Sequence, residues 1–236
     1  MKKSQIAVLT ALGFVLLMMV IVMGLGRIAV GSAMNTADSG IDWDNADEAS
    51  DSMALDDFDR VVVRGAWSVR IDQGESFSVD IAYPEPMRDR IDVRTSGDTL
   101  ILGSRDWSGP MGRELSAAIV MPSLREIRIE GAADVDFRGF DEEEMDVAIE
   151  GAGQITAEDS RARRLSVSLD GLGQIDLDDL TAVDATVSLD GAGEIILDMD
   201  GGILDGNVDG MGSVRYSGRV SDERIDVDGF GSVERE

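Results

Sequence analysis

The sequence predicts an all-β protein, a parallel β-solenoid with about 20 residues per coil, preceded by an N-terminal transmembrane helix. Corner glycines recur at an almost constant step, at Gly131, Gly151, Gly171, Gly191, Gly210 and Gly229. Apolar and polar residues alternate on both sides of each corner, and a long apolar run follows two lysines near residue 1. A constant period of this length is typical of solenoids in which one repeat makes one coil.

Each repeat contains two short segments with the alternation of a half-buried strand. Around Gly171, "LSVSLD" (165–170) precedes the corner and "QIDL" (174–177) follows it, with apolar residues at every second position. Because no segment of helical period intervenes, the coils should stack directly and align like residues. The two predicted core columns are Val135, Ile155, Ile175, Ile195, Val214 and Val233, and Ile149, Leu169, Leu189, Val208 and Val227.

A further copy of the corner lies upstream at Gly65. "FDRVVVRGAWSVRI" (58–71) aligns without gaps with "LREIRIEGAADVDF" (124–137), an offset of three coils' worth. Residues 72–123 between the copies contain strand-like segments joined by turns. They fit either irregular early coils or a small meander that covers the end of the solenoid. The sequence therefore predicts an irregular excursion at 72–123 and regular coils at 124–236.

The N-terminal residues 1–30 have the pattern of a signal anchor. Lys2 and Lys3 precede an apolar run from Ile6 to Leu25, and this run has the length of about 20 residues that spans a bilayer as a helix. Since the positive flank stays inside, we expect an inner-membrane anchor with the domain in the periplasm. Cleavage near the small residues 31–33 is the alternative. Residues 31–55 are polar and acidic, which predicts a flexible linker before a domain at 56–236.

Composition excludes several kinds of function. The chain has 47 acidic and 21 basic residues, a formal net charge of -26, so a nucleic-acid partner is not expected. Cysteine and histidine are absent, which excludes disulfides, Ser-His or Cys-His nucleophiles and His/Cys zinc sites. The Gly-x-Gly corners do not form a dinucleotide motif, because a strand and not a helix follows each of them.

The order of these motifs resembles the head GIN domain family. The resemblance rests on "FDRVVVRGAWSVRIDQG", "TLILGS", "MPSLREIRIEGAADV" and the repeated "GAGQI" corners, and it covers about residues 56–236. Its members are described as autotransporter-adhesin head domains of bacterial envelope proteins. The resemblance implies a right-handed parallel β-helix in an extracytoplasmic location. It implies no catalytic residues.

Two groups of residues are candidate binding sites. The segment "GSRDWSGPMGRE" carries Arg105, Trp107 and Arg113, an aromatic and basic cluster on which a sugar could stack. Alternatively, this segment is only a connection between strands. The second group is a column of acids that precede the corner glycines, here called the acidic ladder: Glu130, Glu150, Asp170, Asp190, Asp209 and Asp228.

The acidic ladder needs something to offset its own repulsion. Its members should point outward from coils about 4.8 Å apart, where like charges repel. In one hypothesis each carboxylate accepts hydrogen bonds from corner N–H groups, as in an Asx turn. In the other, Ca²⁺ ions bridge neighbouring oxygens along the ladder. Arg64 occupies the equivalent position upstream and would neutralise Glu130 if the two copies stack as neighbours.

Three function classes remain. The first is a non-catalytic, membrane-anchored binding or adhesion module for an unknown protein or glycan surface. The second is a structural envelope protein that assembles through open solenoid edges. The third, an enzyme that acts on glycans through a carboxylate pair, is disfavoured because the acids fall at outward strand positions, where they keep a sheet soluble.

Overall fold

The computed structural model describes residues 47–105 and 115–236. A 3-10 helix, Glu85–Arg90, separates β4 from β5. In chain order the strands are β1 (Glu48–Met53), β2 (Arg60–Arg64), β3 (Ala66–Gln73), β4 (Ser78–Pro84), β5 (Ile91–Ser96), β6 (Thr99–Ser104), β7 (Leu115–Met121), β8 (Glu126–Ile129), β9 (Ala132–Arg138), β10 (Asp141–Ile149), β11 (Ala152–Glu158), β12 (Ser160–Leu169), β13 (Leu172–Leu189), β14 (Ala192–Asp200), β15 (Ile203–Val208), β16 (Met211–Arg219), β17 (Asp222–Val227) and β18 (Ser232–Arg235).

The predicted membrane anchor at residues 1–30 lies outside the described residues. Within 47–105 and 115–236, no helix has the length and apolar character needed to cross a bilayer. Most of the predicted linker, residues 31–55, also lies outside the description, which begins at residue 47.

Residues 124–236 form the parallel coils that the sequence predicts. Val147 lies beside Val167, and Ile155 lies beside Ile175, so these residues are paired with their equivalents in the next repeat. The register shifts between β13 and β14, where Leu177 pairs with Leu197 and Thr181 pairs with Asp198. Both predicted core columns are confirmed, because their members from Val135 to Val214 and from Ile149 to Val208 are at most 1% exposed. The columns are less buried in the last described coil, where Val227 is 39% exposed.

Each coil has a third side that the sequence analysis missed. The inward alternation of β13 is interrupted at residues 178–179 and again at 183–184, where two successive residues face away from the core. Since consecutive side chains of a straight strand point to opposite faces, the chain must bend at both places. Leu180 and Ala182 between the bends are buried. A coil therefore consists of three straight stretches, and not two.

The upstream copy of the corner is a direct neighbour of the first regular coil. Strands β2 and β3 pair in parallel with β8 and β9, and Val61 lies beside Ile127 while Val69 lies beside Val135. This is the register of the gapless alignment between the two copies. The two copies are thus separated by about three coils' worth of sequence but are in direct contact in the structure.

The excursion at 72–123 contains both structures that the sequence left open. Strands β6 and β7 form another coil, which pairs in parallel with β2 and β3 on the side away from β8 and β9. Strands β4 and β5 then pair antiparallel with β7 and β6. The chain therefore adds one coil in reverse order and covers it with an antiparallel cap.

Strand β1 corrects the predicted linker. The sequence predicts a flexible segment at 31–55, but residues 48–53 within it pair antiparallel with β4. Ala49 and Met53 pack against the core, and the Tyr83 hydroxyl donates a hydrogen bond to Asp51. These contacts depend on β4, which is distant in sequence. The polar sequence of β1 alone therefore does not predict a strand.

Both tyrosines of the chain should titrate abnormally. Burial, together with the hydrogen bond to Asp51, raises the pKa of Tyr83 to about 12. The hydrogen bond to Glu223, with burial, raises the pKa of Tyr216. An unfolded tyrosine has a pKa of about 10. These two residues are all the tyrosine in the chain, so less tyrosinate absorbance should develop at pH 10 in the folded protein than in the unfolded chain.

The same shifts make the free energy of unfolding depend on pH. The contribution of the protonated tyrosines is fully present below the unfolded-state pKa of about 10 and is lost as the pH rises toward the higher folded-state pKa values. An ultraviolet titration of native protein, compared with protein in denaturant, measures both curves. Coincident curves would contradict the packing of both hydroxyls.

Candidate interaction surface

The corner glycines form one continuous stack along an edge of the solenoid. The N–H of Leu172 donates to the carbonyl of Gly151 (2.8 Å), and the N–H of Met211 donates to that of Gly191 (2.8 Å). An ideal Cβ on Gly171 would lie within 3.0 Å of the Gly151 carbonyl oxygen. Coil-to-coil hydrogen bonding thus continues through the corner and leaves no space for a side chain. The stack contains all seven predicted corners: Gly65, Gly131, Gly151, Gly171, Gly191, Gly210 and Gly229.

An apolar residue outside the core follows every glycine of the stack. Leu172 is 61% exposed, Met211 is 65% exposed and Phe230 is 91% exposed. Strand register and corner hydrogen bonds place these residues in one line, here called the apolar row: Ala66, Ala132, Ala152, Leu172, Ala192, Met211 and Phe230. Large apolar side chains at this exposure are otherwise rare among the described residues.

The acidic ladder runs beside the apolar row, on the other side of the glycine stack. Its members from Glu150 to Asp228 are exposed, and Glu130 is half-buried. The predicted outward direction is therefore correct. Ladder and row together form a surface that we call the corner edge.

Corner amides do not serve the ladder carboxylates. The N–H of Asp170 donates to the carbonyl of Ile149 (2.8 Å), and the N–H of Leu172 donates to that of Gly151. Within the described chain, no ladder carboxylate accepts a hydrogen bond from a corner N–H. The Asx-turn hypothesis is wrong here, because the neighbouring coil already uses these donors.

Arginines neutralise one end of the ladder. Arg64 Nε donates to Glu130 Oε2 at 2.6 Å, which raises the pKa of Arg64. This confirms the pairing expected if the two copies are neighbours. Arg128 forms an ion pair with Glu150. Farther along, Asp170, Asp190 and Asp228 form no ion pair or side-chain hydrogen bond with the residues that the structure describes.

The calcium hypothesis remains a prediction with a direct test. Ca²⁺ prefers six to eight oxygen ligands, and among residues 47–105 and 115–236 no group of three or more carboxylates could hold a metal ion. If calcium bridges the ladder, the melting temperature of chelator-treated protein should rise saturably with millimolar Ca²⁺. The rise should vanish when Asp170 and Asp190 become asparagine. A rise no larger than matched monovalent salt produces would reject the hypothesis.

The structure describes one of the three predicted glycan-contact residues. The N–H of Arg105 donates to the carbonyl of Arg90 (2.8 Å), which ties the end of β6 to the 3-10 helix. Trp107 and Arg113 lie outside the described residues. The flanking strands end at the corner, since Gly103 lies beside Arg64 and Leu115 lies beside Trp67.

A family comparison agrees with this architecture. The family described as "Putative auto-transporter adhesin, head GIN domain" matches residues 57–220. The chain belongs to this family. The match includes the excursion and most of the regular coils, and β1 precedes it. No match was found among curated proteins.

Solved structures share the fold of this head GIN domain. A "putative adhesin" from Bacteroides fragilis has a TM-score of 0.66 and 19% identity, with 80% of this chain and 97% of that chain covered. A "Putative lipid binding protein" from Parabacteroides distasonis has a TM-score of 0.52 and 17% identity, with 81% and 98% covered. At such low identity these similarities show the fold alone.

Sequence reasoning found the ladder but missed the apolar row. The sequence does contain a signal for the row, because the residue after each corner glycine is always apolar. Alternation predicts that the residue after the glycine faces outward, because the residue two positions later, such as Gln174 after Leu172, also faces outward. An apolar residue at every such position is therefore a recurrent exception to the strand pattern.

Proposed function

We propose that this head GIN domain is a non-catalytic binding module of the bacterial envelope, held at a membrane by residues 1–30, that meets its partner with the corner edge. The observation that carries the proposal is the apolar row, in which Leu172 and Met211 remain more than half exposed. Exposed apolar patches rimmed by polar residues mark interaction sites on soluble proteins. The description of the family as adhesins supports the same function.

The shape of the regular coils supports a binding role over an enzymatic one. Corner glycines recur at an almost constant step from Gly131 to Gly229, so the coils have almost equal length. A glycan-cleaving site needs a cleft in which two carboxylates flank the bond. The corner edge runs from coil to coil with exposed apolar side chains, an arrangement that suits contact with another macromolecule.

Cell fractionation tests the proposed anchor. We expect the full chain in the membrane fraction, released by detergent and not by high salt, because a spanning helix is held by its apolar length. A periplasmic protein that begins near residue 34 would establish the cleaved-signal alternative.

Site-specific crosslinking tests the binding surface. A photo-crosslinking amino acid in place of Met211 should give a discrete adduct in intact cells. The same amino acid in place of Arg161, exposed on the third side of the coil, should not. Adducts of equal yield at both positions would contradict a specific edge. Adducts that contain only this chain would favour the self-assembling envelope protein.

A further inference from the structure

The large apolar side chains of the corner edge occur only on coils whose ladder carboxylate has no arginine partner among the described residues. Where the ladder acid is paired with arginine, at Glu130 and Glu150, the apolar row carries alanine. The row gains Leu172, Met211 and Phe230 only beyond Asp170, where the arginine pairs end. One part of the edge, from Asp170 to Phe230, therefore combines apolar contact area with uncompensated negative charge.

We propose that this part of the corner edge docks a basic amphipathic α-helix of a partner protein, with the helix lying along the solenoid axis. The proposal rests on the proposed function and specifies the chemistry of the partner. It requires an apolar stripe on the helix over the apolar row, and lysines or arginines over the acidic ladder.

The spacing of the row fits a helix. Leu172 and Met211 are two coils apart, which is about 9.6 Å for strands spaced at 4.8 Å. Residues i and i+7 of a helix are about 10.5 Å apart along its axis, and residues i and i+3 about 4.5 Å. A partner β-strand lying along the same axis would present side chains to the row about every 6.7 Å. This repeat does not match the spacing of about 4.8 Å between coils. Ala192 lies between Leu172 and Met211, and its short side chain suits the approach of a larger side chain from the helix.

Charge selects a basic partner over the other occupants of an apolar ridge. The chain has a formal net charge of -26, and a second copy would place an identical row of carboxylates against Asp170 and Asp190. Anionic lipid headgroups would be repelled for the same reason. Charge complementarity across an interface sets partner choice and association rate, so cations are the groups that suit these unpaired carboxylates.

The two flanks of the apolar row differ in charge, so the partner helix should carry its basic residues on one side of its apolar stripe only. The ladder borders the row on one flank. On the other flank the neighbouring outward side chains include Gln174 and Ser213, and Glu194 there is already paired with Arg215 at 2.9 Å. The basic residues of the partner therefore belong along one side of its apolar stripe.

A defined peptide tests the inference on the full chain in detergent. The probe is a fluorescein-labelled helical peptide with a leucine stripe, lysines along one flank, and alanine and glutamine elsewhere. Fluorescence anisotropy should show binding that weakens as salt increases. Two edge variants, Leu172→Gln/Met211→Gln and Asp170→Asn/Asp190→Asn/Asp209→Asn, should each weaken it about tenfold or more. The altered side chains are exposed, and replacing neighbouring carboxylates removes repulsion, so neither variant should melt below the parent.

A matched variant separates docking from net charge. Asp136→Asn/Asp141→Asn/Asp146→Asn removes the same charge from exposed positions away from the edge, and it should change the affinity by less than about twofold. Equal weakening by both triple variants, or no effect of the leucine and methionine changes, would overturn the inference. Stronger edge-dependent binding to phosphatidylglycerol vesicles than to the peptide would also overturn it. A crosslink at Met211 that persists without peptide binding would reject the basic helix and retain the proposed function.

Discussion

Replacing Gly171 with valine should lower the free energy of unfolding by several kcal/mol and leave little folded protein at physiological temperature. Gly171 has φ +151°, a conformation that L side chains rarely adopt, and its Cβ would collide with the Gly151 carbonyl. Strained backbone alone costs about 1 to 3 kcal/mol. The collision adds to this, because Gly151 is backbone that cannot rotate away. The Leu172 hydrogen bond to Gly151 should be lost with it.

Ser168→Val is the matched control for the corner. Ser168 precedes Gly171 at the end of β12, half-buried and outward between Val167 and Leu169. Valine suits a half-exposed strand position, so this variant should melt within a few degrees of the parent. Thermal unfolding followed by circular dichroism measures both. Equal melting temperatures for the two variants would contradict the strand register and the glycine stack.

The regular coils could be predicted from sequence because each repeat carries its own evidence. Around Gly151, Gly171 and Gly191 the same alternation recurs at a constant step, so one local pattern fixes direction, register and core together. The buried Ile155, Ile175 and Ile195 follow from that pattern. The bends at 178–179 and 183–184 were missed because they interrupt the alternation by a single residue.

The N-terminal part could not be predicted in the same way because its neighbours are distant in sequence. The alignment of 58–71 with 124–137 contains the correct register between β2 and β8. It does not contain the information that the chain first adds β6 and β7 on the other side of β2 and β3. That arrangement depends on where the excursion returns, and no local residue pattern encodes it.

Only part of the corner edge could be predicted from the sequence, for a related reason. The acids and their outward direction follow from alternation alone. Their compensation does not, because Arg128 lies beside Ala148 in the strand register and reaches diagonally to Glu150. Side chains as long as arginine have too many conformations for sequence spacing to select one. The arginine pairs distinguish Glu130 and Glu150 from the ladder acids that begin at Asp170. This distinction therefore requires the three-dimensional structure.

Removing β1 should destabilise the domain and expose a sheet edge. A fragment that begins at residue 57, where the family match starts, lacks β1, and β4 then keeps β7 as an antiparallel neighbour but loses β1 on its other side. It also loses the packing of Ala49, Met53 and Leu55 against the core. Partial burial of these side chains and one hydrogen bond to Tyr83 together contribute on the order of 2 to 4 kcal/mol. The free edge of β4 should also promote self-association.

Fragments 47–236 and 57–236 provide the comparison, since neither contains the predicted membrane anchor. Chemical denaturation should give the shorter fragment a lower midpoint, and sedimentation should show oligomers of it at concentrations where the longer one is monomeric. Tyr83→Phe in the longer fragment removes the hydrogen bond to Asp51 and retains β1, so it should lose only about 1 kcal/mol and remain monomeric. If the two fragments unfold at the same midpoint and both remain monomeric, β1 contributes nothing to the cap. Residues 48–53 would then behave in solution as the flexible linker that their composition predicts.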